Sequence, residues 1–512
     1  MHALPRETPV DATPARQTSR RSALRAHSVW VLPAVLTSAL GLYRAGHPGL
    51  WRDELASWSA STRSVGALFS MLHHSDASNG AYYLGLHFWI AVFGDSPTAM
   101  RLPSVLAMAG AAGFVAFAGQ RLWGTRAGVA GGVVFALTPS VSRYAQEARG
   151  YAFAVLGVSA ATYLLIRAIQ NPGRLIWVYY AVAVAISGAA NLVALTFLTG
   201  HAVGVLLFYR REPAAGLVRR WPVAVCGGLV PLIPMMYAGR HQISVQIGWI
   251  PKPDLGSPFS TVGTVWSTIF GSYVAAAAVP LFAALACAFR RERWTAAVAA
   301  MATIPLFVVL VVSQFGTSYF VGRYLLFLLP ASAMLAGAGL TALRSRWVGV
   351  AGIIAMAAVT LPDQREIRSA GSHDWWNYPR SPRPEAVSYS AAARVIARGY
   401  EAGDGVAYPP GQRFTMIQPG IAFYLPARDR LRDIFAIGTA AQAAGFEEPQ
   451  THNPTAVLAA SRPARIWVVT QADARTAFAT LESRHALALE HNYQVAVGTP
   501  VQGLTVWLLT GR

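Results

Sequence analysis

Long apolar segments separated by short polar ones occupy the chain from residue 29 to residue 361. A helix needs about 17–25 apolar residues to cross the hydrocarbon core of a bilayer. Eleven segments are candidates, some of them short: 29–46, 103–120, 127–141, 150–168, 175–190, 192–208, 221–238, 271–289, 294–312, 322–340 and 347–361. The pattern therefore predicts a polytopic α-helical membrane domain over 29–361, with about eleven transmembrane helices.

The pattern changes after residue 361. The segment "EAVSYSAAARVIARGY" predicts a helix, and "DGVAYP", "RIWVVT", "YQVAVG" and "LTVWLL" predict short strands. We also predict a helix for "ADARTAFATLES", residues 472–483, between two of the strands. Residues 362–512 are therefore expected to form a small α/β domain.

Composition and charge support a membrane protein. Only 13% of the residues are charged, whereas soluble proteins carry about 25%. The net charge of +19 could indicate nucleic-acid binding. The basic residues instead form short clusters between apolar segments, which is typical of membrane orientation, and no nucleic-acid partner is expected. Cys226 and Cys287 lie in apolar segments, so neither a disulfide framework nor a cysteine metal site is predicted.

The arginine clusters predict the orientation. With a cytoplasmic N-terminus, the dense clusters fall in cytoplasmic loops, as the positive-inside rule requires: Arg121 and Arg126; Arg167 and Arg174; Arg210, Arg211, Arg219 and Arg220; Arg290, Arg291 and Arg293; Arg344 and Arg346. This holds only if residues 81–94 lie in the interface without crossing, which suits their short length and aromatic content. Residues 47–102 then form the first extracytoplasmic loop, and the C-terminal domain lies outside. Residues 1–28 are expected to be a disordered cytoplasmic terminus of a multi-pass plasma-membrane protein.

An adjacent acid pair opens the first outer loop. Asp53 and Glu54 lie in "GLWRDELASW", between Trp51 and Trp58. Tryptophan favours the membrane interface, where an unpaired charge is costly. One interpretation is a solvated pair that ends the first helix; the other is a general base that deprotonates an acceptor hydroxyl.

A second charged segment, "RYAQEARGYA", lies at residues 143–152. Glu147 stands between Arg143 and Arg149 near the start of a span. The group could be a local ion-pair cluster at a helix end. It could also supply a second acid facing the first loop, with arginines that bind an anionic ligand.

Two further arginines lie on the predicted outer side. Arg323, in "YFVGRYLLFLLPA", starts a span on the side where the positive-inside rule does not explain it. Snorkelling to headgroups is one interpretation; binding of a phosphate by the planar guanidinium is the other. Arg240 is the second candidate for the same phosphate.

The remaining candidates are substrate-binding residues. In "HHSDASNGAYY", His73 and Asp76 could form part of a site, or of a polar surface turn. Tyr144 and Tyr324 are further candidates for substrate binding. No metal site is assigned, since the His and Asp spacing lacks a fourth partner.

Together these features resemble the bacterial GT-C glycosyltransferases. The resemblance rests on the acid pair after the first span, the "RYAQEAR" segment, the "GRYLLFLLP" span and the outer α/β tail. The nearest group is related to protein mannosyltransferases and the lipid A aminoarabinose transferase. The resemblance covers roughly residues 29–470 and is most specific over 49–152. The family often has a proline pair after the later acid of loop one, where this chain has "DASNGAYY", so the match at Asp76 is weaker.

The resemblance implies a function. Asp53 would be the catalytic base, with Glu54 beside it and Glu147 as the second acid of the site. The donor would be a sugar on a polyprenyl phosphate, transferred with inversion to a glycan, lipid or protein acceptor of the cell envelope. The richness of the sequence in arginine and alanine indicates a high-GC genome, for which a mannose- or arabinose-like sugar is expected. No cofactor is assigned, and a divalent metal ion is left open.

Three alternatives remain. A transporter or flippase would suit eleven spans, but transporters place polar groups at mid-membrane and have repeated halves. A related oligosaccharyltransferase has a tryptophan-rich signature, and "DWWNY" at 374–378 lacks its Trp-Trp-Asp order. A non-catalytic envelope-binding membrane protein would tolerate Asp53→Asn, whereas an enzyme would not.

Overall fold

A computed structural model describes residues 28–209, 216–256, 258–343, 345–369, 387–411, 415–426 and 431–512. The predicted disordered terminus, apart from residue 28, and the "DWWNY" segment lie outside the described residues.

The described part before residue 370 is helical. Its α-helices are α1 Val31–Leu42, α2 Arg52–Ser61, α3 Val65–His74, α4 Gly80–Phe93, α5 Pro97–Trp123, α6 Thr125–Leu137, α7 Pro139–Ala145, α8 Tyr151–Gln170, α9 Arg174–Ala190, α10 Phe197–Tyr209, α11 Leu217–Leu229, α12 Ile233–Ile247, α13 Pro258–Phe270, α14 Tyr273–Phe289, α15 Arg293–Val312, α16 Leu329–Ala342 and α17 Arg346–Glu366. Short 3-10 turns at Ala77–Asn79, Leu192–Thr196, Val230–Leu232, Gly322–Tyr324 and Leu326–Leu328 join some of them.

These helices coincide with the predicted spans. By length and composition five helical stretches of the described chain could cross a membrane: Pro97–Trp123, Tyr151–Gln170, Leu192–Tyr209, Leu217–Ile247 and Arg293–Val312. A sixth candidate is the pair Val262–Phe270 and Tyr273–Phe289, bent by 85°. Five shorter apolar helices match the other predicted segments: Val31–Leu42, Thr125–Leu137, Arg174–Ala190, Leu326–Ala342 and Arg346–Val359. The polytopic helical class is therefore confirmed, and the number of crossings stays a prediction.

Small residues let the central helices pack closely. A Cβ atom added at Gly128 of α6 would lie 2.3 Å from the carbonyl oxygen of Ala116 in α5. One added at Gly337 of α16 would lie 2.2 Å from the backbone nitrogen of Gly131 in α6. Larger side chains do not fit at either position, so α5, α6 and α16 form a tight unit, as small residues do in membrane helix packing.

A hydrophobic cluster joins the predicted first outer loop to the C-terminal domain. It contains Leu55 and Leu68 from α2 and α3 together with Ile396 and Val469 from the C-terminal part. The backbone N–H of Leu50 also donates to the Tyr424 hydroxyl at 2.6 Å. Residues of α2 are thus held between the membrane helices and the C-terminal domain.

The C-terminal part contains a five-stranded sheet. Its strands are β1 Gly405–Ala407, β2 Arg432–Asp433, β3 Arg465–Gln471, β4 Tyr493–Val501 and β5 Leu504–Gly511, and its helices are α18 Tyr389–Gly399, α19 Ile417–Tyr424, α20 Pro454–Ser461 and α21 Ser483–Asn492. The strand order is β2-β1-β3-β5-β4; β1 is parallel to both neighbours, and β5 is antiparallel to β3 and β4. The predicted sheet domain is confirmed, and β2 was not predicted.

The helix predicted at 472–483 is wrong. The segment forms successive turns, with the N–H of Ala479 donating to Thr476 and that of Leu481 to Phe478, and α21 begins only at Ser483. Ala477 and Leu481 are buried against the sheet. Tertiary burial of these two side chains, together with two β-branched threonines, outweighs the helix-like pattern of the sequence.

Candidate active site

Asp53 lies in the first turn of α2 and contacts Arg323. The Oδ2 atom of Asp53 accepts a hydrogen bond from Nη1 of Arg323 at 3.1 Å, across 270 residues of sequence. Its Oδ1 atom accepts from Nε of Arg52 at 3.3 Å. The Asp53 side chain keeps 16% exposure and that of Arg323 keeps 7%. The pair is therefore formed at the edge of the packed core, where a ligand can still reach it.

The charge of Asp53 is strongly stabilised. Burial raises the pKa of its carboxyl, but the charges of Arg323, Arg52 and Arg149 outweigh burial and lower the pKa to about 2. The carboxylate is ionised at neutral pH. Any loss of arginine charge around it would make it a stronger base.

Glu54 has a different environment. Its side chain is fully buried and accepts two hydrogen bonds from Arg101, from Nε at 2.8 Å and from Nη2 at 2.6 Å. The backbone N–H groups of Ala148 and Trp51 also donate to it, at 2.9 and 3.3 Å. Both oxygens are thus held by the protein. The geometry gives Glu54 a structural role, and the catalytic role expected from the sequence stays a prediction.

Glu147 lies between α7 and α8 and pairs with Arg143. Nη1 of Arg143 donates to Oε2 of Glu147 at 2.6 Å, and both side chains are buried. Burial raises the pKa of Glu147 to about 6 against the opposing charge of Arg143, and the charges of Glu54 and Asp53 add to this rise. Within the described residues its Oε1 atom has no hydrogen-bond partner, so this acid has an unused acceptor in a charged environment.

A tyrosine connects Arg149 to Asp76. Nη1 of Arg149 donates to the Tyr83 hydroxyl at 2.8 Å. That hydroxyl donates to Oδ2 of Asp76, whose Oδ1 accepts from Asn79 at 2.7 Å. The carboxylate of Asp76, predicted to bind substrate, is therefore hydrogen-bonded to two side chains of the protein itself. Its backbone has φ 61°, a left-handed conformation that is uncommon outside glycine.

Arg149 and Arg240 line one cavity of about 400 Å³, which we call the arginine cavity. Its walls are formed by Ser78, Asn79, Arg149, Tyr151, Ala190, Asn191, Leu192, Val193, Thr196, Met236, Gly239, Arg240, Ile243, Gln246, Ile247, Val309, Val312, Tyr319 and Tyr324. The Nε atom of Arg149 is buried and has no hydrogen-bond partner among the described residues. The cavity thus combines two cations with largely apolar walls.

Three tyrosines form a row from the cavity to the Arg143–Glu147 pair. Tyr324, a predicted substrate-binding residue, lines the arginine cavity and follows Arg323 directly. Its ring lies 6.2 Å from that of Tyr151, which lies 5.7 Å from that of Tyr144. Tyr144 is buried beside Arg143, whose guanidinium lies 5.3 Å from its ring.

His73 is not part of this arrangement. It lies exposed in the last turn of α3, and its Nδ1 bonds to the backbone oxygen of Phe69 at 2.8 Å. It does not line the arginine cavity. The predicted substrate contact through His73 is therefore not supported by the geometry.

Arg101 and Tyr83 contact predicted site residues but were not themselves predicted from the sequence. Arg101 begins an apolar helix within the predicted outer loop, the same position relative to the membrane that identified Arg323. That criterion could have found it. Tyr83 gave no comparable signal, because a tyrosine in an aromatic helix is typical of packing.

Metal dependence stays open. Over the ranges that the structure describes, no three His, Cys, Asp or Glu side chains come together as a metal-binding group would.

Comparisons with known proteins give the fold and a family match. A family model for dolichyl-phosphate-mannose-protein mannosyltransferase matches residues 81–237, which include Tyr83, Glu147 and Arg149. Apo ArnT from Cupriavidus metallidurans is 15% identical, with a TM-score of 0.59, over 93% of this chain and 97% of ArnT. The same ArnT bound to undecaprenyl phosphate is 15% identical, with a TM-score of 0.56, over 97% of this chain and 98% of ArnT. No curated protein is significantly similar in sequence.

The fold and the comparisons define a class. The chain is a multi-pass membrane protein with the GT-C glycosyltransferase fold and a small C-terminal sheet domain. The resemblance predicted from the sequence is confirmed. This supports glycosyltransferase activity in general.

Proposed function

We propose that the protein is a membrane glycosyltransferase that transfers a sugar from a polyprenyl-phosphate donor to a cell-envelope acceptor. The observation that carries the proposal is that two arginines, Arg149 and Arg240, line one cavity whose remaining walls are largely apolar. Two cations in an otherwise apolar cavity favour an anionic ligand, because arginine binds phosphate through charge-assisted hydrogen bonds. A lipid phosphate supplies the anion and an apolar chain for the walls.

The related ArnT was solved with undecaprenyl phosphate, which supports a lipid-linked donor here. In this arrangement Arg149 and Arg240 hold the phosphate, and Arg323 adds its charge from the side of Asp53. Arginine suits this function because its planar fork can bind two phosphate oxygens at once. Tyr151 and Tyr324 form the wall beside the reacting sugar.

The chemistry is a single displacement. The Asp53 carboxylate takes the proton of the acceptor hydroxyl, and the acceptor oxygen attacks the anomeric carbon of the sugar. The bond from that carbon to the phosphate oxygen breaks, its electrons pass to the leaving lipid phosphate, and the anomeric configuration inverts. The arginines stabilise the charge that develops on the phosphate. Glu147, with its unused Oε1, accepts a hydroxyl of donor or acceptor.

The sugar of this proposal is mannose- or arabinose-like, and the acceptor is a glycan, lipid or protein on the extracytoplasmic face. The N-terminus lies in the cytoplasm. The match to a mannosyltransferase family model favours mannose among the two.

Vesicles containing the purified protein test the proposal. They are incubated with labelled polyprenyl-phosphate sugars and envelope lipids, glycans and proteins, and transferred label is measured. Asp53→Asn is compared with Asp254→Asn, an exposed acid that is also on the predicted outer side. We expect transfer by the wild type and by Asp254→Asn only. Equal transfer by Asp53→Asn would refute the role of Asp53, and absence of transfer from every polyprenyl-phosphate sugar would refute the activity.

A further inference from the structure

A cavity of about 760 Å³ lies between α2 and the C-terminal domain. One wall is formed by Trp58 of α2, by Thr62, which follows α2, and by Asp95, which follows α4. Residues of the C-terminal domain form the rest. We call it the Trp58 cavity. It shares no lining residue with the arginine cavity. Its volume falls within the roughly 300–1,000 Å³ of small-molecule binding sites.

Fixed hydrogen-bond acceptors line the Trp58 cavity. The Trp58 indole N–H donates to Oδ2 of Asp95 at 2.9 Å. The carboxylate of Asp433 accepts from the backbone N–H of Phe435 and from the Gln450 amide, both at 3.0 Å. A carboxylate offers about four lone pairs, so these oriented groups can still accept hydrogen bonds from a ligand.

The other lining groups complement these acceptors. Tyr408 and Gln418 can donate and accept, and Arg432 donates. Apolar side chains, among them Ile421 and Leu425, lie between the polar ones. The wall would match a ligand that has polar groups along its edges and apolar C–H faces between them.

We propose that the Trp58 cavity binds a neutral carbohydrate of the acceptor. A sugar ring has hydroxyls along its edge and C–H groups on its faces, so it can occupy both kinds of wall. A lipid chain would add no donor to the carboxylates of Asp95, Asp433 and Glu448 and would keep water from their remaining lone pairs, which is costly. An anion would face three carboxylates against one arginine, which disfavours it. The same charges would attract a cation, so a cationic probe is the competing ligand in the test.

The inference rests on the proposed function and extends it to the acceptor. Trp58 and Asp53 lie on the same helix, α2, five residues apart, which is about 7.5 Å along the axis. A glycan held at Trp58 is therefore fixed to the element that carries the proposed base. Five residues of helix also turn the two side chains about 140° apart. Carbohydrate binding at this position would therefore hold an acceptor on the helix that carries Asp53 without using the donor site, and a further sugar unit would extend round α2 to the base.

Direct binding tests the proposal without any donor. A library of neutral mannose-, arabinose- and glucose-containing oligosaccharides is titrated into the full-length protein in lipid nanodiscs, with spermine as a cationic probe. Glu448→Gln and Gln418→Ala alter the cavity; Glu490→Gln, an exposed acid on α21, is the matched control. We expect saturable binding of a neutral oligosaccharide by the wild type and by Glu490→Gln. Glu448→Gln and Gln418→Ala should weaken it at least tenfold.

Three results would overturn the proposal: no neutral oligosaccharide binds, spermine binds in its place, or both cavity variants bind like Glu490→Gln. Asp53→Asn should bind the oligosaccharide like the wild type. Loss of transfer with intact glycan binding therefore affects only the role of Asp53. Transfer without glycan binding affects only the Trp58 cavity.

Discussion

Removing Arg323 should change the basicity of Asp53. The two side chains are 3.1 Å apart at their nearest atoms. Unit charges about 4 Å apart attract with about 4 kcal/mol at an effective dielectric constant of about 20, equivalent to about three pKa units. Water at the partly exposed carboxylate screens part of this. We therefore expect Arg323→Ala to raise the pKa of Asp53 by about one to three units from its value of about 2.

The direction follows from charge. Loss of the cation disfavours the carboxylate, while the burial that raises its pKa remains. The wild-type carboxylate should stay ionised down to about pH 2, and that of Arg323→Ala should take up its proton at about pH 3–5. A donor phosphate that engages Arg323 should act in the same direction, so donor binding would prepare Asp53 to accept a proton.

Difference infrared spectroscopy of the donor-free protein measures this directly. The band of Asp53 is identified by its loss in Asp53→Asn and is then titrated in each variant. Arg323→Lys should keep most of the shift because it keeps the charge, but it should bind donor less tightly because it loses the fork. Arg346→Ala, on an exposed arginine of α17, is the control. The reasoning is refuted if the Asp53 band titrates at the same pH in Arg323→Ala and in wild type.

Four further predictions concern the surroundings of the site. Glu54→Gln should cost about 3–5 kcal/mol, seen as a lower Tm than that of Glu490→Gln, because Arg101 would keep a buried charge without its partner; an unchanged Tm would contradict the structural role. Tyr83→Phe should raise the donor KM, because Arg149 loses the acceptor that orients it, whereas the exposed Tyr179→Phe should not; equal KM values would argue against positioning. Burial raises the pKa of Asp433 to about 6 from 3.8, so it binds more protons when folded and stability should fall by about 3 kcal/mol as pH rises from about 4 to 6. Asp433→Asn should remove this fall in thermal unfolding, and a wild-type-like pH dependence in that variant would exclude the cause. A cysteine at exposed Ser96 should react with an impermeant thiol reagent in intact cells and one at exposed Thr125 should not; the reverse pattern would invert the topology.

The sequence predicted the membrane fold well because lipid leaves few choices. Backbone N–H and C=O groups in the hydrocarbon core of the bilayer must form their hydrogen bonds within the segment. An apolar segment of sufficient length therefore becomes a helix. Each predicted segment coincides with a helix, whereas some boundaries differ. The segment 322–340 begins with 3-10 turns and reaches regular helix only at Leu329. Arg323 therefore lies in a turn before the helix.

The pairing of charged residues could not be predicted. Position relative to the membrane singled out Asp53 and Arg323 separately, and their contact depends on how α2 and the turn at Gly322–Tyr324 pack together. The Arg143–Glu147 pair, four residues apart, is the local ion pair that the sequence offered as one interpretation, whereas the contact of Arg149 with Tyr83 depends on tertiary packing. One sequence shows which charges lie near the interface; it does not show which of them meet.

The adjacent acids Asp53 and Glu54 show how local geometry separates two functions. Successive residues of an α-helix point about 100° apart, so the two carboxylates of α2 cannot face the same partner. Glu54, at the third position of the helix, points inward, accepts from the N–H of Trp51 as in a capping box, and is fully neutralised by Arg101. Its removal from water is tolerable only because each oxygen is bonded. Asp53 points towards Arg323 and keeps some exposure. Because Glu54 fixes the start of α2, it also fixes the direction in which the Asp53 side chain points. The orientation of the accessible Asp53 therefore depends on the buried Glu54.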